Sequence, residues 1–468
     1  MRTPLPAILA LFIASRIAWG QIPAGPPIPD DAAILKILSD RVDKHQQSLG
    51  IVIGVIAPEG RRVVAYGSLG RGDPRTLNGD TVFEIGSITK VFTSLLLASM
   101  VENGEVALDH PVGKYLPAGV LSPDREGRQI QLLDLATHTS GLPRMPSNVQ
   151  SRDSRNPFAE YSVDDLYAFL TTHQPDARPG ARFEYSNLGG ALLGHVLARR
   201  AGEDYEDLIR TRITEPLGMR STLITPTPEM KTRLATGHVY MLEPTPNWGL
   251  GALAAAGGLH STANDLLSFL AANLGYSKTP LASAMSAMLD VRRNAGPGEV
   301  ALAWFADKQD GVEIINHSGG TGGYMSFIGY DRRTRLGVVV LSNTGVGSRI
   351  TDIGMHLLNP RVPLLDEKEL KPPKRRSEIP VDPNVLETYA GRYRFPSGRF
   401  ATITSEDGHL CLQGEGDVKI AFYPESKTEF FAKFMDAQII FKTENGVVTE
   451  LDYVQNGNSS RESVRRIR

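Results

Sequence analysis

The chain has 468 residues, 41% hydrophobic and 22% charged, which excludes a small peptide module, a polytopic membrane bundle and a disordered polyelectrolyte. Its 50 Lys and Arg against 52 Asp and Glu leave a net charge of −2, so no long-range field draws in nucleic acid. The single cysteine, Cys411, excludes an internal disulfide and a cysteine-rich zinc site, since both need two thiols.

Residues 1–20 carry the parts of a secretory signal peptide: Arg2, an apolar run over 5–15, and the small-x-small site Ala18-Trp19-Gly20. The run is too short to span a bilayer, so a periplasmic or secreted location with no stable membrane span is expected. Residues 31–47 place Ile34, Ile37, Leu38 and Val42 on one helical face. Residues 50–57 and 62–66, around Pro58-Glu59-Gly60, read as a β-hairpin. Helices are predicted over 90–102, 163–172, 190–201 and 263–273. A second hairpin follows at 324–330 and 336–341. Strands at both ends with helices between predict an α+β fold, an antiparallel sheet flanked by helices plus a helical subdomain.

Residues 361–382 turn to Pro and charge and read as a linker, its basic cluster at 371–376 a solvated run rather than a nucleic-acid site. Short segments at 400–404, 410–413, 418–422, 429–432, 438–441 and 447–454, some separated by Asp407-Gly408 and Asn445-Gly446 turns, predict a small all-β, barrel-like domain. The expected division is a leader over 1–20, a catalytic domain over 21–360, a linker over 361–382 and a C-terminal domain over 383–468.

Several hydrolase signatures are missing: His-Glu-x-x-His, Gly-x-Ser-x-Gly and the Walker loop. Gly249-Leu250-Gly251-Ala252-Leu253-Ala254 mimics a dinucleotide fingerprint, but Pro244 and Pro246 occupy the place of its strand. Ser87-Ile88-Thr89-Lys90 is more informative. A serine hydroxyl needs a base to take its proton, and three-residue helical spacing sets the Lys90 amine one turn above Ser87. The following run, Val91 to Ala98, is apolar nearly all round, so Lys90 must be desolvated or paired, and desolvation lowers an amine pKa. Ser87 also starts the helix, where free N–H groups can stabilise an oxyanion, although a serine there can equally be a simple cap.

Tyr185-Ser186-Asn187 is the second element. In an extended segment its phenol and amide point the same way, and a phenol beside an ammonium has a lowered pKa and can shuttle protons. The third is Asn316-His317-Ser318-Gly319-Gly320 within a glycine-rich run at a strand end. The glycines admit a substrate backbone, and the Gly320 N–H is available as a second oxyanion donor.

In this order the three motifs resemble the serine β-lactamase and penicillin-binding protein superfamily, most closely its class C branch. Leu132 to Pro143, Pro216-Leu217-Gly218-Met219 and Ala255 to Thr262 resemble framework segments of that branch, His138 and His260 among them as structural residues. Tyr389-Ala390-Gly391-Arg392-Tyr393 resembles the lipocalin-like domains appended to some class C-like peptidases. The resemblance implies a β-lactamase/transpeptidase-like fold and cofactor-free, metal-free acyl transfer through a Ser87 ester. Lys90 and Tyr185 would relay the proton, Asn187 would orient substrate, and His317, Ser318, Gly319 and Gly320 would form the substrate-binding strand, with the Ser87 and Gly320 amides holding the oxyanion.

Two positions depart from that pattern. Thr89 replaces the usual Ser or Ala, and His317 replaces the Lys of Lys-Thr-Gly. Similar His-x-Gly variants occur among the superfamily's D-aminopeptidases, carboxypeptidases and esterases, which weighs against fast β-lactam turnover. With an ordinary pKa near 6.5, His317 should improve turnover of carboxylate-bearing substrates as pH falls towards about 6. The expected function is a serine hydrolase cleaving amide bonds of β-lactams or D-amino-acid peptides, with an esterase or a non-turnover penicillin-binding, peptidoglycan-sensing module as alternatives. The expected partner is a small-molecule or peptide substrate, and not nucleic acid; the sequence leaves oligomeric state open.

Overall fold

The computed structural model describes residues 28–467 apart from 152, 154, 346, 415–418, 445–446 and 456–459. The leader, Val418 and the Asn445-Gly446 turn lie outside the described residues.

The predicted first helix divides into α1 (Asp31–Ser39) and one π-helical turn over Asp40–Lys44. The shift in pitch turns Arg41 inward, where its buried guanidinium pairs with Asp352 and donates 3.0 Å to the Arg349 carbonyl. Next come β1 (Gly50–Ala57) and β2 (Gly60–Gly67), the predicted hairpin. The helices that position the site are α2 (Thr89–Glu102), α3 (Asn187–Ala201) and α4 (Ala263–Asn273). The sheet resumes with β3 (Arg293–Asn294), β4 (Glu299–Val300), β5 (Phe305–Gln309), β6 (Val312–Gly320), β7 (Met325–Asp331) and β8 (Leu336–Ser342), and α5 (Thr351–Leu358) follows.

These strands form one antiparallel sheet in the order β2-β1-β8-β7-β6-β5-β4-β3. Ile53 of β1 lies opposite Val340 of β8, so the two predicted hairpins, far apart in the chain, are neighbours. The period-2 alternation of β1 sorts its residues between two cores. Ile51, Ile53 and Val55 meet Ile34 and Leu38 of α1 and Ile353 of α5. Val52 and Ile56 join Phe92 of α2 and Leu267 and Leu270 of α4 on the other side. The α+β expectation therefore holds, but the span between the hairpins is not only helical. Its short strands β3 and β4 carry too few residues to show a period, and β5 places the charged pair Asp307 and Lys308 where a hydrophobic run would be sought.

Beyond the sheet, α6 (Pro383–Tyr389) leads into eight strands: β9 (Gly391–Arg394), β10 (Phe400–Glu406), β11 (His409–Gly414), β12 (Ile420–Pro424), β13 (Glu429–Ala432), β14 (Ala437–Glu444), β15 (Val447–Gln455) and β16 (Ser460–Ile467). Each pairs with the next and β16 returns to β9, closing the barrel. The sequence reading missed the two strands that make closure, because β9 and β16 are rich in arginine and β16 buries only Val464. Closure leaves no unpaired strand edge. Cys411 is buried in the barrel, and desolvation pushes its thiol up to about 12, so it is inert at neutral pH.

Residues 361–382 contain no helix or strand and most of them are exposed, Lys371, Lys374 and Arg375 included, but the segment is tied to the rest of the protein at several points. His45 Nδ1 bonds the Leu370 carbonyl at 2.7 Å and Gln47 donates to the Lys371 carbonyl at 2.9 Å. At its far end Arg376 pairs with Glu425, and the Ile379 N–H donates to the Pro424 carbonyl at 2.9 Å. Two of its backbone carbonyls and one of its cations thus find protein partners.

Helix α6 sets Leu386 and Tyr389 into the barrel core, where Tyr389 stacks on Phe441 with ring centroids 4.0 Å apart. Leu386→Ala should remove about 2–5 kcal/mol of barrel stability, read as a lower urea midpoint for the barrel transition with Ser87 chemistry retained at low denaturant.

Candidate active site

A cleft of about 550 Å³ opens at the end of β6 and is lined by Ser87, Tyr185, Asn187 and the strand residues His317 to Gly320. The three sequence motifs therefore meet. Ser87 lies in a 3₁₀ turn, Gly86–Ile88, immediately before α2 rather than in its first turn. Gly86 adopts φ +49°, and a Cβ there would fall 2.6 Å from the Gly320 nitrogen. A Cβ on Gly319 would fall 2.0 Å from the Ile85 carbonyl oxygen and 2.8 Å from the Ser87 nitrogen. Only glycine at both positions lets the serine turn lie directly against the strand. Ser326, on the neighbouring β7, donates 2.7 Å to the Ile85 carbonyl and ties the turn down.

Strand alternation decides where the β6 amides point. Thr321 donates to the Tyr324 carbonyl across the hairpin at 3.0 Å, so Gly320 and Ser318 turn their backbone groups to the opposite edge. On that edge β5 begins at Phe305, opposite Asn316. Beyond Asn316 the edge is left to the cleft, which Ser87 and Gly320 both line.

Lys90 is 2% exposed. Its Nζ lies 2.9 Å from Ser87 Oγ, 2.8 Å from Asn187 Oδ1 and 2.7 Å from the Ala256 carbonyl oxygen. Desolvation, reinforced by the Arg144 charge, drives its pKa well below the ordinary lysine value. A neutral amine has two N–H donors and one lone pair. In that neutral form the Asn187 and Ala256 oxygens, which can only accept, take both donors and leave the lone pair facing the Ser87 hydroxyl.

Asn187 is the first residue of α3, not part of an extended segment, and Ser186 caps that helix by accepting from the Gly189 N–H at 2.8 Å. Phenol and amide thus reach one cleft through a strand-to-helix transition rather than through strand alternation. Tyr185 bonds Ser87, and its ring centroid lies 5.0 Å from Lys90 Nζ. Its pKa moves opposite to the sequence expectation. Burial pushes the phenol up to about 12, against smaller opposing effects of the Ser87 bond and the Arg144 charge. Lys90 does not draw it down, and the phenol keeps its proton.

His138 lies behind Tyr185, its ring centroid 4.3 Å away, and its Nδ1 accepts the Ser186 N–H at 3.2 Å. Burial holds this imidazole neutral. His260 is distant, bonded to the Ile224 carbonyl. His317 also departs from expectation. It is 2% exposed, its Nδ1 donates 2.6 Å to the Ser318 carbonyl, and burial above all lowers its pKa to about 3. It does not become a cation near neutral pH, and the expected gain towards pH 6 loses its basis.

Sequence reasoning missed four contributors: the Ala256 carbonyl, Arg144, Trp248 and Phe434. Trp248 is anchored by its backbone N–H donating 2.8 Å to buried Glu84 and by its indole donating 2.8 Å to the Arg155 carbonyl. It stacks on Phe434 of the barrel with rings 9° from parallel, and both line the cleft. The segment that mimicked a dinucleotide fingerprint is the short turn following Trp248, with no strand before it. Arg144, directly after Gly141-Leu142-Pro143, stands one residue beyond the framework segment and belongs to none of the three motifs.

A closed serine–lysine–tyrosine constellation on an antiparallel sheet defines a serine-hydrolase architecture. Residues 36–354 match the family described as Beta-lactamase, and the chain belongs to that family. Residues 375–461 match a domain of unknown function, DUF3471, which does not carry the lipocalin name. The chain is 30% identical over 326 residues to the D-alanyl-D-alanine-carboxypeptidase/endopeptidase AmpH of Escherichia coli (strain K12), covering 65% of this chain and 83% of that one. It is 27% identical over 390 residues to penicillin-binding protein 4 of Amycolatopsis lactamdurans, covering 79% and 100%. Among solved structures, the beta-lactamase/D-alanine carboxypeptidase of Yersinia pestis complexed with citrate superposes with a TM-score of 0.62 at 28% identity, covering 71% of this chain and 98% of that one.

Gly319→Ala should cut the Ser87 acylation burst with a p-nitrophenyl ester by about a hundredfold or more, the scale of one lost oxyanion donor. His317→Gln should leave the pH profile of that burst without a changed inflection between about pH 5 and 8; an ionisation lost from that window would show that His317 titrates there.

Proposed function

We propose that the protein is an exported serine hydrolase that cleaves the amide bond of D-alanyl-type peptides through a Ser87 acyl-enzyme and is acylated by β-lactams that it turns over slowly. The observation that carries this reading is the buried Lys90 amine within hydrogen-bond distance of Ser87 Oγ and of two acceptor-only oxygens, which in the neutral form leave its lone pair to Ser87. The leader-like first twenty residues support export, and the carboxypeptidase and penicillin-binding names of the relatives support the substrate class.

The protons balance over one cycle. Ser87 attacks the carbonyl carbon as its proton passes to Lys90 Nζ, and the amides of Ser87 and Gly320 receive the oxyanion. The C–N bond then breaks as the Tyr185 phenol gives its proton to the leaving nitrogen. The resulting phenolate, now beside an ammonium, takes a proton from water, and the hydroxide attacks the ester. Collapse releases the acid, and the Lys90 proton returns to Ser87 Oγ. Asn187 fixes Lys90 through Oδ1 and lines the cleft.

The base is the neutral amine, so activity is present above the depressed Lys90 pKa and is lost as pH falls through it. With Tyr185 up at about 12, kcat/KM for an uncharged ester should rise from acid to a plateau and hold it to about pH 10. A fluorescent penicillin followed by mass measurement tests the assignment. Wild type should form a long-lived adduct and Ser87→Ala none, while Tyr185→Phe should slow both labelling and release by about 10²–10⁴-fold. Labelling of Ser87→Ala would overturn the proposal.

A further inference from the structure

The cleft needs a cation if it is to receive a carboxylate, and neither expected position supplies one. His317 is neutral, and Lys90 is buried and committed to three hydrogen bonds. Among the described cleft-lining residues Arg144 alone carries a permanent charge, and none is acidic. Arg144 is exposed. No carboxylate among the described residues pairs with it, and its guanidinium rests on the Tyr185 ring, its carbon 5.2 Å from the centroid. That ring holds the guanidinium over the cleft by a cation–π contact while leaving its N–H edge free.

We propose that Arg144 is the receptor for a substrate carboxylate on the leaving-group side of the scissile amide, and that it selects peptides with a free C-terminal carboxylate. The assignment rests on the acyl-transfer reading above, in which the Tyr185 phenol protonates the leaving nitrogen. The α-carboxylate carbon of a C-terminal residue is two bonds from that nitrogen, about 2.5 Å. A carboxylate so tethered stays next to the Tyr185 ring, where Arg144 is the available cation. A planar guanidinium can grip it with two parallel hydrogen bonds. Arg144 follows Pro143, whose carbonyl accepts from Ser186 Oγ at 2.7 Å, and its own carbonyl accepts the Asn187 N–H at 2.9 Å. Its backbone is therefore fixed to the Tyr185-Ser186-Asn187 segment.

The test compares kcat/KM of the full chain for an N-acylated D-Ala-D-Ala peptide and for its C-terminal amide. Wild type should prefer the acid by about ten- to a hundredfold, the scale of a charge-assisted bond. Arg144→Gln should bring the acid-to-amide ratio close to one, mainly by raising KM for the acid. Arg144→Lys should keep part of the preference, and Arg144→Glu should reverse it. A wild type without preference, or variants that lose acid and amide cleavage equally, would overturn the assignment while leaving Ser87 chemistry intact. Cleavage of neither peptide by a wild type that still gives a Ser87 ester burst would instead remove the peptidase reading, and this receptor with it.

Discussion

The arrangement depends on one desolvated amine. A lysine in water is a solvated cation and no base at neutral pH. At the start of α2 the side chain is enclosed by protein, and its charged form loses hydration that three neutral acceptors do not replace. Neutrality alone would leave the lone pair free to point anywhere. The carbonyl of Ala256 and the amide oxygen of Asn187 remove that freedom by claiming both N–H bonds, and the direction that remains is Ser87. Burial sets the protonation state, and hydrogen-bond valence sets the direction.

The rest of the site keeps that arrangement in register with the oxyanion donors. The turn bearing Ser87 and the strand bearing Gly320 belong to segments more than two hundred residues apart. They meet at the Gly86 and Gly319 contact, where two missing Cβ atoms make room for the backbone. On the other side, the left-handed His138 (φ +55°) presents its ring to Tyr185 and its Nδ1 to the Ser186 amide. A framework segment with no chemistry of its own thus determines where the phenol stands.

Periodicity made much of the fold legible. The hairpins, the helices over 163–172 and 263–273 and most barrel strands follow from apolar alternation, because each buries one face or both. The strands that escaped were short or dominated by arginine, and their place is imposed by pairing with neighbours rather than by burial. The site residues were legible as residue types at recognisable spacing, but their ionisation was not. Spacing puts an amine near a phenol; it does not say that burial drives the amine pKa down and pushes the phenol up instead of down. The same blindness applied to His317, whose ordinary pKa is overridden by enclosure beneath Phe305 and Tyr185. Ala256 was invisible for a simpler reason: a backbone carbonyl has no side-chain signature.

The neutrality of His317 and the exposure of Arg144 belong to one electrostatic solution. A cation buried at position 317 would stand in the same dry pocket as Lys90, and either charge would oppose protonation of the other. In the proposed acylation Lys90 accepts a proton, so a second fixed charge inside the pocket would raise the cost of that step. At the solvent edge Arg144 remains hydrated, carries its charge at little desolvation cost and rests on the Tyr185 ring, from where its charge adds to the burial that lowers the Lys90 pKa. The Trp248–Phe434 stack walls the cleft with apolar surface that cannot compete for an anion. On the proposed roles the pocket separates two tasks that a strand lysine would combine: the interior would cycle a proton, and the rim would supply the charge that orients the substrate.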